Sequence, residues 1–205
     1  MKLSANEPLA GRAAVVTGAG RGCGEAVARA LAAAGVRLCA SDLNPDRAER
    51  VAREIVVGGG EAFAWQADVS NKFQVAALIE AARDRFGRLD IFIQHAHVTP
   101  RVSALTMDEW EWRRTLEVNL TGSFFCAQLA GRVMADEGGG VIVQLVRPVP
   151  VDGPAAAYAA TRAGMLALAE MLAVEWGGQG VCVAAVDASA QESAVSRVLA
   201  FCRGE

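Results

Sequence analysis

Short apolar runs alternate with longer segments of helical pattern along the chain. The run 141–146 is continuous and β-branched, as in a strand that is buried on both faces. Glycines follow most of the helical segments, where they are typical of helix ends. The predicted strands are 13–17, 36–41, 61–66, 90–94, 141–146 and 181–186. The predicted helices are 22–34, 45–57, one capped by Ser70 or Asn71 that ends at 86, 106–136, 155–176 and 192–202.

Strands that alternate with helices predict an α/β fold with a parallel sheet. Six strands in this rhythm favour the doubly wound order 3-2-1-4-5-6, and the absence of a linker or repeat favours one domain over residues 1–205. In this order the strand sequence reverses between the first and fourth strands. We therefore expect a ligand crevice at the carboxyl ends of those two strands.

Composition excludes several classes of protein. The 205 residues are 53% hydrophobic and 21% charged, so the chain can bury a core and is not disordered. A net charge of −3 without a basic stretch argues against nucleic-acid binding. No uncharged apolar run reaches the length of a membrane span, and Lys2 is not followed by the apolar run of a signal peptide. We expect a cytoplasmic protein with no membrane partner.

The five cysteines do not form a metal or disulfide pattern. Their number is odd and no C-x-x-C pair occurs, so we expect neither a disulfide framework nor a structural zinc site. His95 and His97 could place two imidazoles on one side of a strand end, but no third ligand is evident. We predict no metal.

A glycine-rich turn follows the first strand and opens the first helix. It reads Thr17-Gly18-Ala19-Gly20-Arg21-Gly22-Cys23-Gly24, and Asp42 ends the next strand. Glycines let a diphosphate approach the backbone, and the helix N-terminus supplies N–H groups. Asp42 would accept hydrogen bonds from a ribose and repel a 2′-phosphate, which favours NAD over NADP. Arg21 could favour a phosphate instead, and a tight turn without a ligand remains the alternative.

The motifs together resemble the short-chain dehydrogenase/reductase family over nearly the whole chain. They are the turn 17–24, the Asp-Val pair at 68–69, the segments 86–91 and 118–122, and Tyr158 with Arg162 four residues later. The resemblance implies a hydride transfer between a nicotinamide cofactor and a small carbonyl or alcohol. It implies the following cofactor-binding residues: Thr17, Gly18, Gly20, Arg21, Gly22, Gly24, Asp42, Leu43, Asp68, Val69 and Ala96.

The catalytic residues implied by the resemblance are Tyr158, Arg162 and Asn119. A free Tyr has a pKa near 10 and needs a nearby cation to exchange a proton at neutral pH. The family uses a Lys for this purpose, whereas this chain has Arg162. A guanidinium is broader than an ammonium group and does not release a proton, so it cannot join a proton relay as Lys can.

The family's serine has no counterpart in this chain. It lies about a dozen residues before the Tyr, where Leu145, Val146 and Arg147 stand 13, 12 and 11 residues before Tyr158. Loss of one carbonyl-polarising donor lowers the rate by about 10²-fold or more. Arg147 could act as a charged replacement.

Three further departures affect the nicotinamide half of the cofactor site. His97 stands where the family has Gly, and Ala188-Ser189 stands where it has Pro-Gly. The last helix follows almost at once, so we expect no substrate lid, and the chain ends before the family's seventh strand. The adenosine half retains its residues, and this asymmetry motivates the hypothesis that the protein binds a dinucleotide, or only its adenosine end, without ordinary hydride chemistry.

Three functions stay open. The first is an atypical oxidoreductase that uses Tyr158 with Arg162 as its cation. The second is a catalytically silent NAD-binding sensor or regulatory protein. The third is a structural subunit that pairs with an active homologue. The apolar helices around Phe124 and Met171 favour a homodimer or homotetramer, or a heteromer with such a homologue.

Overall fold

Six parallel strands form one sheet in residues 8–205, the part of the chain that the computed structural model describes. Residues 1–7, which include the expected N-terminus without a signal peptide, lie outside it. The strands are β1 (Ala13–Thr17), β2 (Arg37–Asp42), β3 (Ala62–Gln66), β4 (Ile91–Gln94), β5 (Gly140–Val146) and β6 (Val181–Asp187). Their order is β3-β2-β1-β4-β5-β6, which confirms the predicted doubly wound sheet.

Seven α-helices connect the strands and cover both faces of the sheet. They are α1 (Gly22–Ala33), α2 (Pro45–Val57), α3 (Lys72–Phe86), α4 (Glu109–Leu116), α5 (Gly122–Asp136), α6 (Ala156–Trp176) and α7 (Gln191–Arg203). A π turn, Glu117–Thr121, joins α4 to α5. A short 3₁₀ turn, Gly177–Gln179, follows α6.

The alternation of side chains along each strand separates two apolar cores. Val16 of β1 and Ile93 of β4 face the core under α1, α2 and α7. Val15 and Phe92, one residue away on the same strands, face the core under α3, α5 and α6. Val15 and Phe92 are also register partners in the pairing of β1 with β4. Both faces of the central strands are therefore buried, as their unbroken apolar sequence predicts.

The long helix expected over 106–136 differs from the structure in two ways. It begins at Glu109, because the Asp108 carboxylate accepts a hydrogen bond of 2.7 Å from the Glu111 N–H and so caps the helix. Asp108 therefore lies just outside the helix as its cap, whereas the bounds 106–136 place it inside. The π turn 117–121 then interrupts the helix. The apolar spacing continues through both features, so the sequence pattern alone does not reveal them.

One helix in the described residues, 156–179, is long and apolar enough to cross a membrane by length and composition. Its buried residues Ala169 and Leu172 belong to the same core as α3 and α5. One face of this helix therefore packs in the core, and length with composition alone is weak support for a membrane span.

We expect Phe92→Ala to destabilise the protein by about 3–5 kcal/mol, since Phe92 is 0% exposed at the centre of the sheet. Phe73→Ala is the matched control, because Phe73 on α3 is 87% exposed and its loss should cost about 0.5 kcal/mol or less. Urea unfolding of both variants measures the difference. Equal losses would contradict the assigned core.

Candidate functional site

Two joined cavities open at the carboxyl ends of the strands, at the predicted point where the strand order reverses. The outer cavity, about 450 Å³, lies beside the end of β2 and is lined by Asp42, Leu43, Asp68 and Val69, among others. The inner cavity, about 830 Å³, lies over the ends of β5 and β6. Both cavities are lined by Arg21, His95, His97, Val98 and Arg114.

The glycine-rich turn is closely packed on one side and open on the other. A Cβ on Gly24 would lie 2.3 Å from the Gly18 carbonyl oxygen, and one on Gly18 would lie 2.9 Å from the Ala96 nitrogen. Gly22 has a φ of +58° and no atom within 4 Å of its virtual Cβ. No side chain caps the N-terminus of α1. These features leave N–H groups of the turn available to an anion.

Asp42 connects the end of β2 to this turn. Its carboxylate accepts hydrogen bonds of 3.0 Å from the Gly20 N–H and of 3.0 Å from the Asn44 N–H. A Cβ on Gly20 would lie 2.7 Å from the same carboxylate, so glycine is required for the approach. Leu43, next in the chain, is exposed at the mouth of the outer cavity. The acid predicted to contact a ribose is thus fixed beside the turn.

Arg50 on α2 supports the turn, and Glu54 on the same helix pairs with Arg50; the sequence analysis singled out neither residue. The Arg50 guanidinium donates 3.1 Å to the Gly20 carbonyl and 2.7 Å to Glu25 on α1. Arg29 and Glu54 complete the ion-pair network. The i,i+4 spacing of Arg50 and Glu54 is visible in the sequence, but their reach to the turn is a long-range contact.

Asp68 and Val69 line the far wall of the outer cavity. The Asp68 carboxylate accepts hydrogen bonds from the Ser70 N–H and hydroxyl at 2.9 and 2.7 Å, and from Arg114 at 3.0 Å. Burial by itself would raise the pKa of Asp68, but the hydrogen bonds from Ser70 and Arg114 hold it below its usual value. Arg114 was not predicted from the sequence and ties this wall to α4.

Thr17 ties the end of β1 to the chain after β4. Its buried hydroxyl contacts the Gln94 side chain and accepts hydrogen bonds from the N–H groups of His95, at 3.2 Å, and Ala96, at 3.4 Å. Ala96 lines the outer cavity. The described contacts of Thr17 are structural, and its direct role toward a ligand stays a prediction.

His95 and His97 use their ring nitrogens on backbone carbonyls. The Nδ1 of His95 donates 3.2 Å to the Gly18 oxygen, and the Nδ1 of His97 donates 2.7 Å to the His95 oxygen. Burial lowers the pKa of His95 to about 4 and also lowers the pKa of His97. Within residues 8–205, no three His, Cys, Asp or Glu side chains form a candidate metal site.

Asn119 lies in the π turn and is fully buried. Its side chain accepts 2.8 Å from the Val98 N–H and donates 2.8 Å to the Val98 oxygen and 3.1 Å to the Thr161 hydroxyl. The amide therefore joins the loop after β4 to α6. No described hydrogen bond links it to Arg162.

Tyr158 and Arg162, one turn apart on α6, meet at a backbone oxygen. The Tyr158 hydroxyl donates 3.0 Å to the Arg147 carbonyl, and the Arg162 Nε donates 2.9 Å to the same oxygen. Arg162 also lies 3.6 Å from the Asp187 carboxylate. Burial raises the pKa of Tyr158, although the charges of Arg147 and Arg162 oppose the rise. These two of the three predicted catalytic side chains are thus hydrogen-bonded within the protein.

Arg147 is the residue of the expected serine segment that reaches the site. Leu145 and Val146 are buried within β5, whereas Arg147 follows the strand and lines the inner cavity. None of the three has a hydroxyl group. Across the cavity only residues 188–190 separate β6 from α7, so the segment where a lid was expected to be absent is indeed short.

Residues 12–199 match the family described as short chain dehydrogenase. D-threitol dehydrogenase of Mycolicibacterium smegmatis is 37% identical over 178 residues, 85% of this chain and 68% of that protein. A 3-oxoacyl-[acyl-carrier-protein] reductase of Synechocystis is 35% identical over 181 residues, 87% of this chain and 73% of that protein.

The fold is also similar to that of solved structures with related sequences. A 3-ketoacyl-ACP reductase from Sinorhizobium meliloti aligns with a TM-score of 0.81 at 37% identity, covering 85% of this chain and 70% of that one. A short-chain type dehydrogenase/reductase from Mycobacterium marinum aligns with a TM-score of 0.84 at 30% identity, covering 87% of this chain and 74% of that one.

The buried His95 predicts a specific loss of stability in acid. Its pKa is about 4 when folded and 6.5 ordinarily, so the unfolded chain binds more protons as pH falls through this window. The free energy of unfolding therefore has its full value above pH 6.5, where His95 is neutral in both states, and falls as the pH drops toward 4. Between pH 7 and 4.5, we expect the wild type to lose roughly 2 kcal/mol more than His95→Asn does. Urea unfolding at the two pH values tests this, and equal losses would rule it out.

Proposed function

This chain belongs to the short-chain dehydrogenase family of oxidoreductases, and we propose that it binds NAD while its hydride transfer is impaired. The observation that carries the proposal is the contrast between the two cavities. Beside the outer cavity the Asp42 carboxylate accepts a hydrogen bond from the glycine-rich turn, which supports cofactor binding there. Tyr158 and Arg162 both donate hydrogen bonds to the carbonyl of Arg147, which lines the inner cavity, but neither of the two lines that cavity itself.

The residues around the outer cavity fit the adenosine half of a dinucleotide. The uncapped start of α1 and the open face of Gly22 suit a diphosphate. The Asp42 carboxylate keeps acceptor capacity for ribose hydroxyls beyond its two backbone bonds. Its negative charge opposes a 2′-phosphate, which supports NAD over NADP despite Arg21 in the turn. Apolar walls at Leu43 and Val69 suit an adenine ring.

The inner cavity would receive the nicotinamide end and a small carbonyl or alcohol. NAD supplies or accepts the hydride when bound, and a protein group must give or take the accompanying proton. Tyr158 is the candidate for that proton, with Arg162 as the adjacent cation. Its buried hydroxyl with a raised pKa resists ionisation, and Leu145, Val146 and Arg147 offer no hydroxyl to orient a carbonyl. We therefore propose slow turnover.

A second function, a catalytically silent NAD-binding sensor or regulatory protein, is favoured by one specific observation. The Tyr158 hydroxyl has a backbone acceptor at 3.0 Å, and Tyr158 is only 3% exposed. If that hydrogen bond persists when ligands bind, the hydroxyl cannot serve a substrate. NAD binding would then be the function.

Assembly is a further part of the proposal. Met171 and Val174 on the outer face of α6 are 55% and 76% exposed, and Phe124 on α5 is also exposed. Apolar side chains on two helices suit burial against another subunit. We propose that the protein forms a homodimer or homotetramer in the cytoplasm. The third function would be that of a structural subunit in a heteromer with an active homologue.

Cofactor choice is tested by Asp42→Asn, which removes the charge with little change of shape. We expect the ratio of the NADPH to the NADH dissociation constant to fall about tenfold, because a 2′-phosphate is no longer repelled. Fluorescence titration with both cofactors measures it. Asp84→Asn, an exposed change on α3, should leave the ratio as in the wild type. An unchanged ratio in Asp42→Asn would contradict the role of Asp42.

Tyr158→Phe separates slow catalysis from silence. With NADH and a panel of small ketones, we expect the residual turnover of the wild type to fall about 100-fold while NADH affinity is retained. For ketones in the panel that carry no carboxylate, the double change Arg147→Ser with Arg162→Lys should raise turnover above the wild type. Wild-type turnover that equals Tyr158→Phe would support the silent function, and turnover typical of active dehydrogenases would contradict impairment.

A further inference from the structure

Two arginines face the inner cavity without a carboxylate partner. Arg21 immediately precedes α1 and Arg147 follows β5, and both line this cavity. Both residues are exposed, and within residues 8–205 neither side chain forms a hydrogen bond or an ion pair. By contrast, Arg114 at the same cavity is paired with Asp68, and Arg162 nearby lies 3.6 Å from Asp187. The two unpaired cations are thus distinct from their neighbours.

The backbone of Arg147 is held in one position. Its carbonyl oxygen accepts the hydrogen bonds from Tyr158 and Arg162, and Val146 just before it accepts 2.9 Å from the Ala188 N–H. Pro148 follows and restricts the next φ angle. The guanidinium therefore extends from a fixed point at the cavity wall.

The positive charge of Arg147 affects the pKa of several groups around the cavity. Burial is the largest cause of the lowered pKa of His95 and of His97 in the loop after β4, and the charge of Arg147 lowers both further. On α1 it opposes the burial that raises the pKa of the Cys23 thiol, and on α6 it opposes the same effect at Tyr158. Arg147 lines the inner cavity together with Cys23 of α1 and with His95 and His97 after β4.

Few negative charges face these cations. Glu111 on α4 is the carboxylate that lines the inner cavity among the described residues, and it is not within ion-pair distance of either arginine. The two histidines are uncharged at neutral pH because burial lowers the pKa of each. An anionic ligand would supply the missing partner, and a guanidinium binds a carboxylate by two parallel hydrogen bonds.

We propose that the inner cavity takes a small carboxylic acid that carries a carbonyl or hydroxyl group, with Arg147 binding the carboxylate. This names a substrate class for the proposed function and rests on it. Arg21 lies within the glycine-rich turn, where it would face the diphosphate of a bound cofactor, whereas the backbone oxygen of Arg147 accepts the hydrogen bond of the Tyr158 hydroxyl. A ligand held at Arg147 would place its neighbouring carbon–oxygen group near Tyr158.

The test is a calorimetric titration of the NAD⁺-saturated protein with pyruvate and with pyruvamide. Pyruvamide replaces the carboxylate by a neutral amide of similar shape, and neither compound reacts with NAD⁺ by hydride transfer. We expect pyruvate to bind at least about tenfold more tightly than pyruvamide. Arg147→Gln should lose that preference and leave pyruvamide and NAD⁺ affinities unchanged. Arg53→Gln, an exposed change on α2 that removes the same charge, should behave as the wild type.

The outcomes distinguish this proposal from the proposed function. Pyruvate binding that Arg147→Gln does not weaken, or no pyruvate binding at millimolar concentrations, would overturn the proposal while NAD⁺ binding stands. Pyruvate that competes with NAD⁺ would assign the anion to the diphosphate position and would also overturn it. Arg147-dependent pyruvate binding by a protein that does not bind NAD⁺ would instead overturn the proposed function.

Discussion

One buried hydroxyl connects the ends of β1 and β4, at the point where the strand order reverses and the two cavities meet. Thr17 ends β1, and its hydroxyl contacts Gln94 and accepts hydrogen bonds from the two N–H groups that follow β4. The glycine-rich turn begins at the next residue, so this contact sets the distance between the turn and His95. Gly24 then packs so closely against Gly18 that no larger residue fits. The shape of both cavities depends on this junction.

Much of the fold could be predicted from local pattern. Each strand is a short apolar run and most helices end at glycine, so the element order and the sheet order follow from alternation. The start of α4 and the π turn could not be predicted, because the helical spacing of apolar residues continues through both. The cap at Asp108 depends on one side chain that turns back to a backbone N–H.

Some features of the candidate site could likewise be predicted from the sequence, and others could not. The turn and Asp42 could be predicted, because each stands at the end of a predicted strand. The hydrogen bond between them nevertheless spans 22 residues. The pairing of Arg114 with Asp68 and the reach of Arg50 to Gly20 depend on contacts between distant elements. The sequence likewise predicts Tyr158 and Arg162 as neighbours, but not that one backbone carbonyl engages both.

We propose that the adenosine half of the cofactor site binds its ligand and that the nicotinamide half is altered. Calorimetric titration of the wild type with ADP-ribose and with NAD⁺ tests it most directly, because the two ligands share the adenosine half. We predict dissociation constants that agree within about threefold, a difference of under 1 kcal/mol. Binding of NAD⁺ that is about 100-fold tighter would mean that the nicotinamide half is firmly held, and would contradict the account.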